Sequence, residues 1–485
     1  MNIKNTIAKH ANVYRIIVAI GFIITTALVL AFPVKMIGAS PWAYYYGVQN
    51  FADGKLVIDD ELHTTQVNDA RQQGGMLQQY MEIGDNQWAL EKAPGYVFYL
   101  VPFQWLGIPR WGNIVLALGM IIVTYILLKR IRDERTACIG SLLILFTPIT
   151  LMMLNLTYMD TLASLAFLVM GGGLYIYHHL ERGKLRPVSG NVLLFAAFLL
   201  IAWSVVTRYT NFTVAAVFAL HFIITRLVSY RKTVKKNLCL ETVSVTLGIG
   251  LPLAVFLLYN YVVFGSPLDY GYHYSTMPIE FAFQYLGQID KNGQSVPIQI
   301  IADNLKSAPQ PLLWGFPLLI IGIPGICIVL YQKFRHLRHK NVPSGTWSSL
   351  NTELPWDILL VLIGWFIGVF CLYLTYEFTA EYLGNGSSFV RFARFYLPGL
   401  FPVAVICALI MARLPFKLYI PILIIAVIAG SIIYTQYVSG SSSNSSGGSR
   451  SPGGTHNNQK PSRSSPRIVT TDNSGLVPQS TLDGQ

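Results

Sequence analysis

Apolar residues in this chain are grouped in long blocks rather than in alternating or helical-face patterns. Blocks with few charges begin near Tyr14, Gly112, Thr136, Thr161, Asn191, Phe212, Val243, Pro311, Asp357, Phe395 and Phe416. A helix that crosses the hydrocarbon core of a bilayer takes about 20 apolar residues, so these blocks predict roughly eleven spans. Periodicity does not separate helix from strand in an all-apolar run, but length does, and a lone helix satisfies every backbone group in lipid. The expected fold is therefore all-α and polytopic. The stretch from Gly95 to Pro109 is too short for a crossing and reads as an interfacial or re-entrant helix. The first block, IIVAIGFIITTALVLAF, follows Lys4, Lys9 and Arg15; it exceeds a signal peptide's apolar core and reads as a signal anchor.

Composition agrees: 53% of residues are hydrophobic and 12% charged, and a mean hydropathy of +0.47 excludes a soluble domain of this length. The net charge of +12 would suggest a nucleic-acid partner in a soluble protein. Here the basic residues gather between alternate apolar blocks instead. They are Lys129, Arg130, Arg132 and Arg135; Arg182, Lys184 and Arg186; Arg231, Lys232, Lys235 and Lys236; Lys333, Arg335, Arg338 and Lys340; and Arg413 and Lys417. That is the positive-inside pattern, which predicts a multi-pass protein of the cell membrane with a cytoplasmic N-terminus and no nucleic acid bound.

The opposite, extracytoplasmic side then receives a first loop over 35–93, the turns Asn155 to Asp160 and Thr207 to Asn211, a second loop over 265–309, and the stretch Phe378 to Arg394. Residues 1–437 form the expected transmembrane domain. From 438 to 485 the chain is polar and rich in Ser and Gly, and reads as a disordered external tail. The cysteines lack paired spacing and read as small hydrophobes.

Candidate chemistry lies in the external segments. The first loop carries Asp53, Asp59, Asp60, Glu61, Asp69, Glu82, Asp85 and Glu91, most of them a solvated face. It ends in EKAPGYVFYLVPFQ, where Glu91 and Lys92 stand side by side as the loop enters apolar sequence; a carboxylate and an ammonium there suggest a site for a phosphate-bearing lipid. Four passages carry the remaining candidates. They are YYYGVQNFADGK with Tyr44 and Asp53, LNLTYMDTLASLAF with Asp160, FGSPLDYGYHYS with Tyr272 and His273, and RFARFYLPGLFPVAVI with Arg391, Arg394 and Tyr396.

Taken in order, these passages resemble the GT-C superfamily of integral-membrane glycosyltransferases, which includes protein O-mannosyltransferases and the aminoarabinose transferases that modify lipid A. The resemblance implies a polyprenyl-phosphate-linked sugar donor and an acceptor that is a protein, a lipid or a glycan. It also implies a single inverting displacement in which the lipid phosphate leaves as an anion. A cation near that phosphate and a carboxylate near the acceptor are the minimum equipment. Lys92 matches the family's phosphate-contacting Lys, with Arg391, Arg394 and Tyr396 expected on the same donor phosphate. Glu91 matches a carboxylate that in some relatives helps hold a divalent metal, for which His273 would be the partner. Asp160 matches an Asp at the mouth of the next span, and Tyr44, Tyr272 and His273 are the expected sugar or acceptor contacts.

One departure matters. Relatives place a catalytic Asp just after the first span, where this chain has Ala39, Ser40 and Pro41, and no carboxylate occurs between Lys35 and Phe51. A general base contributes about 10² to 10⁴ in rate. Either Asp160, Asp53 or Glu91 substitutes, or the chain is a non-catalytic GT-C-like protein that binds a lipid-linked sugar or a partner. A transporter or flippase for such a lipid is the third reading. Against it stand the long first loop, the lack of an internal repeat, and charge gathered on one side rather than within spans.

Overall fold

The structure is a computed structural model that describes residues 3–34, 36, 39–229, 235–275, 281–290, 293–338, 353–377, 379, 393–415 and parts of 417–432. Arg391 and the tail 438–485 lie outside the described residues.

The chain opens with α1 (Ile3–Ala31). The first long loop folds as α2 (Ala39–Ala52), β1 (Val57–Asp59), α3 (Asp60–Gln72), β2 (Tyr80–Gly84), β3 (Gln87–Leu90) and α4 (Gly95–Trp105). There follow α5 (Pro109–Ile131), α6 (Glu134–Leu145), α7 (Pro148–Asn155), α8 (Asp160–Leu180), α9 (Pro187–Thr207), α10 (Phe212–Ser229) and α11 (Lys235–Phe264). The second long loop carries one-turn segments at Gly271–Tyr274 and Ala282–Tyr285 and then α12 (Val296–Ser307). The bundle resumes with α13 (Pro309–Gly315), α14 (Leu319–Arg338), α15 (Trp356–Leu374) and α16 (Leu400–Met411).

Among the described residues eight helices are long and apolar enough to cross a membrane. Two bent pairs, α6 with α7 at 57° and α13 with α14 at 96°, raise the number to ten if each pair is one span. Both bends fall at an X-Pro step, Thr147-Pro148 and Phe316-Pro317, where the residue before proline is driven out of the helical region. These ten match the first ten apolar blocks of the sequence one for one. The expected eleventh span, from Phe416, falls on residues of which only some are described. At eleven residues, α4 is only about 16 Å long and too short to cross; it packs on α2 and α5.

The first loop holds one feature that the sequence pattern does not announce, a three-stranded antiparallel sheet in the order β1-β3-β2. Strands of three to five residues are too brief for alternation to show. The β2–β3 turn places Asp85 and Asn86 at φ of 51° and 56°, the left-handed pair that suits a tight hairpin between right-twisted strands.

Within the bundle, α8 and α16 are enclosed by other helices, whereas α1, α10 and α11 present residues such as Ile20, Ile23, Leu220, Leu247 and Leu258 outward. With lipid as the surrounding solvent, outward apolar side chains carry no penalty, and helices associate through close packing at small residues. Gly172 of α8 shows this packing. A Cβ there would lie 2.7 Å from a Phe218 ring atom and 2.8 Å from a Trp365 ring atom, so α8, α10 and α15 interlock at mid-height.

Candidate active site

The hairpin delivers the first half of the site. Glu91 directly follows β3, and its N–H donates to the Gln79 carbonyl at 3.0 Å, continuing the ladder and fixing the Glu91 and Lys92 backbone. The second loop lies on top of it. A Cβ on Gly271 would sit 2.4 Å from the Glu91 carbonyl oxygen and 2.5 Å from its Cα, so only glycine allows this approach. Tyr272 is thereby brought to Lys92. The Lys92 Nζ donates to the Tyr272 hydroxyl at 3.3 Å and lies 4.9 Å from that ring's centroid. The same ammonium is 3.3 Å from Glu91 Oε1, with the two side chains only 14% and 7% exposed. Burial, reinforced by the Glu91 and Asp160 carboxylates, holds the Tyr272 phenol above its usual range, so it stays protonated.

This packing predicts that Gly271→Ala separates the two loops. Forcing a methyl into a filled space costs about 1–3 kcal/mol. Thermal melting of the purified protein in detergent should fall accordingly, and an unchanged melting temperature would refute the close approach.

The second half is built where α8 begins and α9 ends. The Tyr96 hydroxyl of α4 lies within hydrogen-bond distance of the Thr157 carbonyl and, at 2.8 Å, of Asn113 Oδ1, and its one proton is shared between them, tying down the turn ahead of Asp160. A Cβ on Gly95 would lie 2.7 Å from the Val206 carbonyl carbon and 2.8 Å from the Thr207 nitrogen, so glycine lets α4 approach the end of α9 just ahead of Arg208. The Arg208 Nη1 lies 3.9 Å from Asp160 Oδ1 and donates to Thr161 Oγ1 at 3.1 Å. Its Nε donates to the Tyr373 hydroxyl at 3.0 Å, at the end of α15, and the guanidinium stands 5.3 Å from the Phe395 ring. Burial opposes the Arg208 charge, but Tyr373 and Asp160 outweigh it and hold the guanidinium above its usual range. Tyr44 of α2 is buried edge-on against Tyr96, with centroids 5.6 Å apart, and burial together with Asp160 raises its phenol too.

The two halves meet through aromatic rings. Tyr209, next to Arg208, lies 5.8 Å from Tyr272 and 5.5 Å from Tyr270. The result is two half-buried cations, with side chains 14% and 12% exposed, each beside a carboxylate, in a wall of tyrosine rings.

Glu91, Lys92, Asp160, Tyr44 and Tyr272, all singled out in the sequence, thus converge. His273 turns to Asp269, with Nδ1 3.1 Å from Oδ1 and its side chain 47% exposed. Neither Glu91 nor His273 belongs to a group of three potential metal ligands among the described residues. Asp53 is exposed at the C-terminal end of α2, where Gly54 adopts φ +75° as a helix-ending turn requires. Arg394 lies over the Phe395 ring at 5.0 Å, and Tyr396 is buried 4.8 Å from Phe370 and 5.8 Å from Tyr373. Ala39, Ser40 and Pro41 form the first turn of α2, so Ser40 stands one turn before Tyr44, on the same helix face.

Arg208, Thr161 and Tyr373 were not picked out in the sequence. Arg208 did leave a signal: it is a cation at the end of an apolar block on the side where the positive-inside pattern expects few.

No sequence-family model and no curated protein matches this chain. Solved structures do, and they show that the chain has the fold of GT-C integral-membrane glycosyltransferases. The apo oligosaccharyltransferase of Archaeoglobus fulgidus aligns with a TM-score of 0.53 at 13% identity, over 88% of this chain and 56% of that one. AglB from the same organism, in complex with an inhibitory peptide and a dolichol-phosphate, gives 0.51 at 13% identity, over 88% and 56%. ArnT from Cupriavidus metallidurans bound to undecaprenyl phosphate gives 0.47 at 11% identity, over 88% and 70%. The chain spans little more than half the length of the oligosaccharyltransferase chains it matches.

Proposed function

We propose that this protein is a membrane glycosyltransferase that moves a sugar from a polyprenyl-phosphate-linked donor to an acceptor on the extracytoplasmic face by a single inverting displacement. The observation that carries the reading is that Lys92 and Arg208, both half-buried and both beside carboxylates, flank one wall of Tyr272 and Tyr209 within a fold that AglB, solved with a dolichol-phosphate, also has. A buried cation aimed at a leaving phosphate is worth most where water is excluded. Lys92 has this role, with Arg394 and Tyr396 as further candidates for the donor phosphate. Both contacts of Asp160 with Arg208 and Thr161 are made through Oδ1, which leaves Oδ2 to take the acceptor's proton in place of the acid that Ser40 does not supply. Asp53, exposed at a helix end, is the weaker substitute. Glu91 holds Lys92 rather than a metal in this reading, and Tyr44 and Tyr272 offer hydroxyls and ring faces to a sugar. The extracytoplasmic assignment rests on the basic clusters of the alternate loops.

The non-catalytic alternative draws on the same Arg208–Asp160 pair, because a carboxylate held by a buried guanidinium can be purely structural. Transfer of radiolabelled sugar from polyprenyl-phosphate donors, measured in one set of membranes beside donor binding, separates the two. Lys92→Ala should weaken donor binding by about 10-fold to 100-fold, the equivalent of one charge-assisted hydrogen bond. No transfer from several donors, with binding that Lys92→Ala still weakens, would favour the binder. Absence of donor binding in the intact protein would overturn both.

A further inference from the structure

We propose that His179, His221 and Asp357 form a divalent transition-metal site, Zn²⁺ by donor type, where the last turn of α8 and the first turn of α15 meet the middle of α10, away from the candidate active site. Their donor atoms all lie within 4.8 Å of one another. His179 Nε2 is 2.7 Å and His221 Nε2 3.7 Å from Asp357 Oδ2. A tetrahedral ion with bonds of about 2.0–2.1 Å sets its donors about 3.3 Å apart, so side-chain shifts of under about 1.5 Å bring the three onto one ion.

The His221 ring supplies the second argument. Its Nδ1 lies 2.7 Å from the Tyr175 hydroxyl. When Nδ1 donates to that oxygen, Nε2 presents a lone pair, and Nε2 is buried without a hydrogen-bond partner while facing the Asp357 carboxylate. Lone pair against carboxylate is repulsive, and a cation between them relieves it. An oxygen acceptor behind a metal-bound imidazole fixes its tautomer and ring orientation, and the Tyr175 hydroxyl oxygen takes that place for His221. Arg182 and Arg226 lie 3.4 and 2.5 Å from Glu241, and Lys333 is the buried cation whose charge acts on Asp357. Two imidazoles with one carboxylate suit Zn²⁺ and leave a fourth position to water.

The site acts on the helices that frame the candidate active site. Asp160 starts α8, and His179 lies nineteen residues further on, roughly 28 Å along the axis. Tyr209 and Thr210 lead into α10, and Tyr373 ends the helix that Asp357 begins. With Gly172, Phe218 and Trp365 interlocked midway, an ion held by His179, His221 and Asp357 clamps the three helices as a unit. The proposal is independent of whether the protein transfers sugar.

The test uses the full-length protein in detergent, stripped with a chelator and titrated with Zn²⁺ or Co²⁺. One ion per chain should bind, Co²⁺ should give the intense visible absorption of a tetrahedral site, and Zn²⁺ should raise the melting temperature. His179→Gln and His221→Gln should abolish stoichiometric binding, Tyr175→Phe should weaken it by about 10-fold to 100-fold, and His273→Ala should leave it unchanged. The proposal is overturned if the intact, monodisperse protein takes up no more ion than the His179→Gln/His221→Gln double variant. A plain His179–Asp357 contact would then account for the cluster. Binding that persists in the double variant but is lost in His273→Ala would overturn it equally.

Discussion

Asp160→Asn is expected to lower sugar transfer by about 10²-fold to 10⁴-fold, the usual contribution of a general base, with little change in donor binding. The exchange is nearly isosteric. The amide oxygen can still face Arg208 Nη1 and Thr161 Oγ1, which now lie 3.9 and 3.5 Å from Asp160 Oδ1. What disappears is the capacity to accept a proton. Because α8 is enclosed by other helices and Asp160 is its first residue, the backbone has little room to bring another acid forward. Separate measurement of the turnover rate and the donor dissociation constant decides the matter. A fall in turnover alone assigns the base, whereas equal turnover in both proteins would remove Asp160 from the chemistry and return attention to Glu91 and Asp53.

Arg208→Ala should be the most damaging change to the folded state. It strands the Asp160 carboxylate, whose side chain is 16% exposed, and removes the donor that serves the Tyr373 hydroxyl and Thr161 Oγ1. Breaking a buried ion pair from one side costs about 3–5 kcal/mol, chiefly for the charge left behind. Arg208→Lys should recover only part of the loss, because one ammonium cannot reproduce a planar fork spread over three partners. The check is a melting series that includes Asp160→Asn/Arg208→Gln. If the double variant is more stable than Arg208→Ala, the uncompensated charge is the cause. If Arg208→Ala melts like the intact protein, the pair does not hold the helix ends.

Most of the membrane architecture is legible in the order of the residues. A bilayer rewards long apolar blocks wherever they occur, so hydropathy places helices without knowledge of neighbours. Hence the first ten blocks correspond to eight single helices and two proline-bent pairs. The adjacency of Glu91 and Lys92 is legible for the same local reason, and the start of α8 at Asp160 follows from an acid preceding an apolar run.

The convergence of the site is not legible, because it depends on which helix faces which. Arg208 meets Asp160 across 48 positions and Tyr373 across 165. Gly95 against Val206 and Gly271 against Glu91 make those meetings possible, yet a glycine in a string of letters does not name the backbone it will touch. His179, His221 and Asp357 are equally scattered, each reading alone as an ordinary polar residue near a helix end or face. Hydropathy is a one-dimensional property set by the solvent, and the amino-acid order therefore carries the number, length and ends of the helices on its own. Their rotation and contact are set by close packing between distant segments, and it is this packing that brings the two cation–carboxylate pairs to one site and gathers His179, His221 and Asp357 at another.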